Sequence, residues 1–400
     1  MSSSPSQPLA GRRFWLAGIG GAGMSAYALL AHAWGAEVSG WDRVETPYLA
    51  HLQGIGVRIA PEPPAPPADA EVFVSTAYVG RVAGRPRAEL LAELVSMRRS
   101  IVVAGAHGKT TTCAMIAFCL DRLGLDPAFL IGGEIPQLGG NARAGAGWLV
   151  VEGDESDRSV TALRPEIAVL LNVDLDHHTT FGSRAELESL FEEWLARVPH
   201  VVRAEELEPV AVELGVPGEH NRRNAAAALA ALELAGVARA DAERALGEFR
   251  GAGRRLESVG EAGGVEVLDS YAHHPAELSA DLDAVRAGAE GRRLLALFQP
   301  HLYSRTLHLA HEFAVALSSA DAVCVTDVYP AREEPIPGVT GRLIVDELAQ
   351  VRSGMRIGWA PSVEDGVRIV AAWARPGDIV LTLGAGDVDR APALLLEALA

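Results

Sequence analysis

Lys109 and Thr110 sit in the run Gly105-Ala106-His107-Gly108-Lys109-Thr110-Thr111-Thr112, directly after the β-branched stretch Ile101-Val102-Val103. A strand, a glycine-bearing turn and an apolar helix over 111–123 make the layout of a triphosphate cradle. Backbone N–H groups and a helix N-terminus face the phosphates, an ammonium reaches the terminal phosphates, and a hydroxyl serves magnesium. The common pattern requires glycine where Val103 stands, so the loop is a short variant. Gly105, Gly108, Lys109, Thr110 and Thr111 are the candidate ATP-binding residues. The plain alternative is an ordinary strand–turn–helix junction, with Lys109 a solvated lysine at a helix start.

Two further clusters could serve the same chemistry. Glu152, Asp154, Glu155 and Asp157 follow the apolar run 148–152, and Asp174, Asp176, His177 and His178 follow 167–173. Near-continuous apolar runs suit parallel strands covered on both faces. Ligands of open α/β sheets bind beyond the carboxyl ends of such strands, which brings both clusters beside the phosphate loop. Magnesium takes few protein ligands, all hard oxygens, because it keeps waters and substrate phosphates. Glu152 with the Thr110 hydroxyl satisfies that, and by spacing alone Asp154 or Asp157 would too. His177 and His178 read as contacts to a second magnesium or to a transferring phosphoryl group; the dull reading is that one packs or caps. No partners at zinc spacing accompany them.

Other turns carry polar groups in excess of what a turn needs. Gly18-Ile19-Gly20-Gly21-Ala22-Gly23 follows a strand over 12–17 and opens a helix over 24–34, with Asp42 about 20 residues on, after a second strand over 36–41. Gly218 to Asn224 precedes an Ala-rich stretch over 224–238, and is either a capped helix start or an adenine-reading segment through His220, Asn221 and Asn224. Asp269-Ser270-Tyr271-Ala272-His273-His274-Pro275 and Gln299-Pro300-His301-Leu302-Tyr303-Ser304-Arg305-Thr306 each follow an expected strand. Arg305 could hold a carboxylate in a bidentate fork. Together the two turns suggest a second substrate site.

The elements that must position these groups run the length of the chain. Strands are expected over 72–76, 265–268, 293–298, 322–326 and 379–383, and helices over 87–97, 275–287 and 304–317. Four hundred residues imply two or three domains, and an apolar content of 49% leaves no shortage of core. A formal net charge of −17 argues against a general binder of nucleic acid or of anionic membrane, while leaving room for a local phosphate pocket. Cys113, Cys119 and Cys324 form no metal-spaced pair and no disulfide framework, which points to a reducing cytoplasm. Residues 1–10 have no apolar core of signal-peptide type, and the stretch over 224–238 is too short to span a membrane. No internal repeat is visible.

In order and spacing these pieces resemble the Mur ligases, and among them the branch that adds L-alanine to UDP-N-acetylmuramate. The resemblance runs from about Arg12 to the C-terminus. It is carried by Gly18 to Ser25, Gly105 to Thr112, Glu152 to Asp157, Asn172 to His177, Gly218 to Asn224, Arg254-Arg255, Asp269 to Pro275, Phe298 to Thr306 and Tyr329 to Gly338. It implies an α/β protein of three domains: an N-terminal Rossmann-like domain over 1–98, a central domain over 99–250 with a parallel sheet of the phosphate-loop ATPase type, and a C-terminal Rossmann-like domain over 251–400. The implied reaction joins the lactyl carboxylate of UDP-N-acetylmuramate to the amine of L-alanine through an acyl phosphate, with ATP and magnesium, in peptidoglycan precursor synthesis. Carried over residue by residue, Lys109 grips the γ-phosphate, Thr110 and Glu152 hold one magnesium, and His177 helps hold a second. His220, Asn221 and Asn224 meet adenine, and Arg254 and Asp269 reach ATP from the C-terminal side. Gly18, Gly20, Gly21, Gly23, Met24, Ser25 and Asp42 bind the UDP-sugar, and His273, His301 and Arg305 the amino acid. Partners are these small molecules, in a cytoplasmic monomer or weak homodimer.

The chain also departs from the family pattern. It is far shorter between Trp194 and Gly218, so the accessory strands of the central domain are expected to be reduced, and residues 61–67 replace a trimmed stretch after Val57. Ser270 stands where a second Asp is usual, Leu302 replaces a usual Arg, and Gly105-Ala106 replaces Gly-Thr. Competing readings are a Mur-type ligase for another amino acid or for a peptide in muropeptide recycling, an NAD-dependent oxidoreductase read from Gly18 to Asp42, and a degenerate paralogue that only binds.

Overall fold

The computed structural model describes residues 7–60, 66–174, 180–331 and 333–400. Short β-branched runs recur along the chain, and each becomes a strand in one of three successive sheets.

The first sheet is built from β1 (Arg13–Ala17), α1 (Ala22–Ala33), β2 (Glu37–Trp41), α2 (Pro47–Gly54), β3 (Arg58–Ile59), β4 (Glu71–Val74), β5 (Arg85–Pro86) and α3 (Arg87–Ser96). Its order is β3-β2-β1-β4-β5, with every pair parallel. The order reverses beside β1, so the crevice beyond the ends of β1 and β4 is the switch point where such sheets bind ligands. Phe14 and Phe73 meet edge to face at 5.4 Å between ring centres in the core of this sheet.

The second sheet comprises β6 (Ser100–Ala104), α4 (Lys109–Arg122), β7 (Ala128–Ile135), β8 (Gly140–Arg143), β9 (Leu149–Glu152), β10 (Ile167–Leu170), α5 (Arg184–Leu195), β11 (His200–Arg203), α6 (Glu219–Leu234) and α7 (Arg239–Leu246). Its order is β11-β10-β6-β9-β7-β8, parallel except for the β7–β8 hairpin at one edge. All five residues of β6 are buried, and α4 is buried from Thr110 to Leu120. A helix buried all round is core rather than surface. The helix begins two residues before the expected 111, because Gly108 turns the chain at φ 86° directly ahead of it. Among the described residues β11 is the only strand between α5 and α6.

The third sheet is made of β12 (Arg255–Ala262), β13 (Val265–Ser270), α8 (Pro275–Gly288), β14 (Leu294–Phe298), α9 (Tyr303–Leu317), β15 (Ala322–Thr326), α10 (Arg342–Val351), β16 (Arg356–Ala360), α11 (Val363–Trp373), β17 (Ile379–Leu383) and α12 (Ala391–Leu399). Its order is β12-β13-β17-β14-β15-β16; β12 is antiparallel and the rest are parallel. Helix α8 opens with a reciprocal cap: His274 accepts from the Ala276 N–H, and Glu277 accepts from the His274 N–H at 3.3 Å.

By contacts the chain divides into two compact units, Met1–Gly215 with Arg222–Arg250, and Val216–Asn221 with Gly251–Ala400. The first holds two sheets that share an apolar cluster running from Phe14 and Leu30 to Val102, Leu149 and Trp194. The second holds the third sheet. No described helix is long and apolar enough to cross a membrane.

Candidate active site

The loop between β6 and α4 is shaped by two glycines that no other residue could replace without strain. Gly105 has φ 128°, and a Cβ there would lie 2.9 Å from the Asn172 carbonyl oxygen beyond β10. Gly108 has φ 86°, and a Cβ there would lie 2.5 Å from the Asn224 Oδ1. Asn172 clamps the loop from both sides. It accepts from the His107 N–H at 2.9 Å and donates through Nδ2 to the His107 carbonyl at 2.9 Å. No side chain caps α4 at Gly108, so the start of the helix has the form that suits an anion.

Lys109 folds back over this loop. Its Nζ donates to the Gly105 carbonyl at 2.5 Å and pairs with Glu155 at 3.1 and 3.2 Å, the Glu155 side chain being only 2% exposed. Burial alone would lower the lysine pKa. The negative field of Glu155, helped by Asp154 and Glu152, outweighs it and holds the pKa above its ordinary value. The ammonium therefore stays charged in a buried position.

Thr110 and Glu152 converge on β7. Glu152 accepts from the Gly132 N–H at 2.7 Å, and a Cβ at Gly133 would lie 3.0 Å from the Thr110 methyl. One carboxylate and one hydroxyl beside a bare glycine pair fit the sparse, hard-oxygen demands of magnesium. Among the described residues no group of three or more His, Cys, Asp or Glu forms a metal cluster. Asp176, His177 and His178 lie outside the described residues. Asp154 faces Arg87 at 3.4 Å and accepts from the Ser156 N–H at 2.9 Å. Its pKa is lowered: burial pushes it up, but the Ser156 hydrogen bonds with Lys109 and Arg87 prevail. Asp157 lies 3.9 Å from the same guanidinium.

Arg87 is a residue that sequence reasoning missed. Its Nη1 lies 3.2 Å from where a Gly23 side chain would begin, so it joins the N-terminal glycine turn to the acidic cluster. No motif marks it; it is the first residue of an ordinary helix. The turn itself is tight. Gly18 has φ 82° and room for no Cβ, which would meet the Ser75 Oγ at 2.2 Å. Asp42 accepts from the Gly20 N–H at 2.9 Å and from the Tyr78 hydroxyl at 3.2 Å, so it braces the turn from beneath. Gly21 precedes α1 without a side-chain cap, and Met24 and Ser25 are buried in its first turns.

In the second unit the singled-out residues gather at the carboxyl ends of β13, β14 and β17. Arg254, in a left-handed conformation at φ 55°, donates to Asp269 at 2.7 Å and to the Gly384 carbonyl at 2.9 Å. Asp269 also accepts from the Thr382 hydroxyl at 2.6 Å. His301 stacks on Tyr329 at 5.9 Å between ring centres, and His273 meets it edge-on at 5.7 Å. Arg305 is buried, its Nη1 3.2 Å from the His301 Nδ1. Leu302 takes φ 73°, with its N–H bonded to the Tyr329 carbonyl at 3.0 Å. Asn221 donates to the Pro217 carbonyl at 2.6 Å, and His220 lies beside Asp281, another residue absent from the sequence reading.

Comparison with known proteins decides what this assembly belongs to. Residues 16–99 match the Mur ligase family, catalytic domain; residues 103–202 match the Mur ligase middle domain; residues 254–386 match the Mur ligase, glutamate ligase domain. The chain belongs to the Mur ligase family. Among curated Mur ligases it is 38% identical to a UDP-N-acetylmuramate–L-alanine ligase of Streptomyces avermitilis, over 99% of each chain. It is 40% identical to the enzyme of the same name from Streptomyces coelicolor, over 98% of this chain and 99% of the other. The Streptomyces avermitilis alignment spans 463 positions against 400 residues here, so that ligase carries segments without a counterpart in this one. Among solved Mur ligases, the UDP-N-acetylmuramate-alanine ligase of Thermotoga maritima superposes with a TM-score of 0.79 at 27% identity, covering 96% of this chain and 98% of the other.

Proposed function

We propose that this Mur ligase joins L-alanine to UDP-N-acetylmuramate at the expense of ATP, in peptidoglycan precursor synthesis. The observation that carries the proposal is near-full-length similarity, at 38% and 40% identity, to curated enzymes of that name. The buried Lys109–Glu155 pair over an uncapped helix start supports it from the side of chemistry.

A carboxylate is a poor acylating group. The lactyl carboxylate oxygen attacks the γ-phosphorus of ATP, ADP leaves, and an acyl phosphate results. The alanine amine then attacks the acyl carbon and loses a proton, and the bond to phosphate breaks. Bringing one anion to another demands cations and aligned N–H groups. In this reading Lys109, the N–H groups from Gly105 to Thr111 and the start of α4 hold the β- and γ-phosphates. Thr110 and Glu152 would hold magnesium, with His177 at a second site, and bound magnesium would neutralise phosphate charge. His220, Asn221 and Asn224 take adenine, and Arg254 and Asp269 serve ATP. Gly18, Gly20, Gly21, Gly23, Met24, Ser25 and Asp42 form the UDP-sugar turn. His273, His301 and Arg305 take the amino acid, with Arg305 on its carboxylate. The domains follow as 1–98, 99–250 and 251–400, in a cytoplasmic monomer or weak homodimer.

Product analysis with UDP-N-acetylmuramate, L-alanine, ATP and magnesium tests this. The alanyl product and one ADP per product are expected, and Lys109→Ala should reduce ADP release by about a thousandfold without changing the circular dichroism spectrum. No release with L-alanine, but release with a tripeptide, would replace the substrate.

A further inference from the structure

Ser270 ends β13, and the family resemblance implies a second carboxylate at this position. The structure has a carboxylate there, and it comes from elsewhere. The Ser270 hydroxyl donates to Asp281 of α8 and accepts from the Ala272 N–H at 3.1 Å. The other Asp281 oxygen, Oδ1, faces the His220 Nε2 at 3.9 Å. Gly218, at φ 100°, closes the opposite side of the ring: a Cβ there would lie 2.6 Å from the His220 Cε1. The imidazole is thus held between a bare glycine and an acid. We propose that Asp281 supplies from α8 the carboxylate displaced from position 270, and that it acts as a positioning residue for His220. The proposal rests on the ligase reading through the adenine contact assigned to His220.

Asp281 has a structural partner in Ser270, and its second oxygen is left facing His220. It lies on the same helix as the buried Leu278, Leu282 and Val285, with its side chain 13% exposed. It is the seventh residue of α8, beyond the first turn where the helix dipole favours an acid. A buried carboxylate that faces a neutral ring at 3.9 Å is costly to ionise. The charged and titratable groups around it are Arg255 of β12, Glu277 of α8 and His220 of α6; Arg255 and Glu277 lie 3.8 Å apart, and His273 pairs with Glu277. Burial pushes Asp281 up to about 7, against the opposing pull of Ser270 and Arg255. Burial, with Arg255, pushes His220 down. Near neutral pH the carboxyl group loses its proton beside a neutral ring, and its charge then orients the Nε2–H.

The test uses the full chain and ADP release with UDP-N-acetylmuramate, L-alanine and ATP–magnesium. Asp281→Asn should raise KM for ATP about tenfold while kcat changes by less than about twofold. It should also remove the inflection near pH 7 from the pH profile of kcat/KM for ATP. Asp281→Ser should lose ATP affinity likewise, Ser270→Asp alone should crowd two buried acids, and the double variant should recover most of the loss. An unchanged KM for ATP in folded Asp281→Asn overturns the inference, as do Ser270→Asp and Asp281→Ser effects that merely add. Should Asp281→Asn not fold, the double variant decides alone: recovery supports the exchange and none overturns it. Wild-type protein that releases no ADP with these substrates overturns the ligase reading instead. Calorimetric ATP affinity of wild type against Asp281→Asn then decides the positioning role, with equal affinities counting against it.

Discussion

Lys109 carries a charge in a place where lysines readily lose it. The geometry gives the reason: Glu155 lies 3.1 Å away, almost wholly buried, and Asp154 and Glu152 add to its field. Removing the Glu155 charge leaves burial as the dominant influence, and burial lowers a lysine pKa. Glu155→Gln should therefore shift the alkaline limb of the ADP-release profile to lower pH, because the ammonium is lost sooner as pH rises. A pH–rate series on wild type and variant checks this, and an unmoved limb would show that Glu155 does not hold the charge. The placement of Lys109 at a turn before a helix was legible in the sequence because glycines and a helix start flank it. The Glu155 role was not: four acids within six residues offer no spacing rule that singles out the one beside the ammonium.

The element that does most for the loop is the junction of β6 and α4, and its strain is local. At Gly108 a side chain would have to take φ 86° and push into Asn224 of α6. Gly108→Ala should destabilise the first unit by about 1–3 kcal/mol and weaken ATP binding; denaturant melts and calorimetry measure the two effects. Strand β6 and helix α4 were readable because a fully apolar run and a long apolar helix leave few alternatives. Strand β7 was not expected, yet it faces both Thr110 and Glu152. Its apolar run is only Phe129-Leu130-Ile131, and Gly132-Gly133 breaks the pattern. Those glycines weaken a strand and signal close approach by another group, which the Glu152 carboxylate confirms. The early start of α4 was hidden for a related reason: three threonines in a row are poor helix formers, and burial of Thr110, Thr111 and Thr112 overrides that preference.

Across the molecule the charge balance and the site pull in opposite directions. The chain carries a net charge of −17, and the cations at its singled-out turns are held in place: Lys109, Arg87, Arg254 and Arg305 each face a specific partner. Such sites cost stability, and Asp281 shows it most clearly. Its pKa rises from an ordinary 3.8 to about 7, so the folded state keeps a proton that the unfolded chain gives up. Folded stability is then fully present below about pH 4 as far as this group is concerned, and is lost progressively as pH rises to 7. Asp281→Asn should melt later than wild type at pH 8 and lose that advantage toward pH 4. Thermal melts at the two pH values read it, and an advantage of the same size at both would remove the linkage.

The sequence alone determined the class of fold, the glycine turn between β6 and α4 and the family resemblance, because each is encoded by residues close together in the chain. Apolar runs specify buried parallel strands, and glycines specify a tight turn, whatever lies beyond them. Only the tertiary structure decided which acid meets Lys109, that Arg87 bridges the glycine turn to Asp154, and that Asp281 stands beside Ser270. Those pairings join residues 46, 67 and 11 positions apart. The register of packed helices and sheets, and not any local pattern, sets which side chains finally meet.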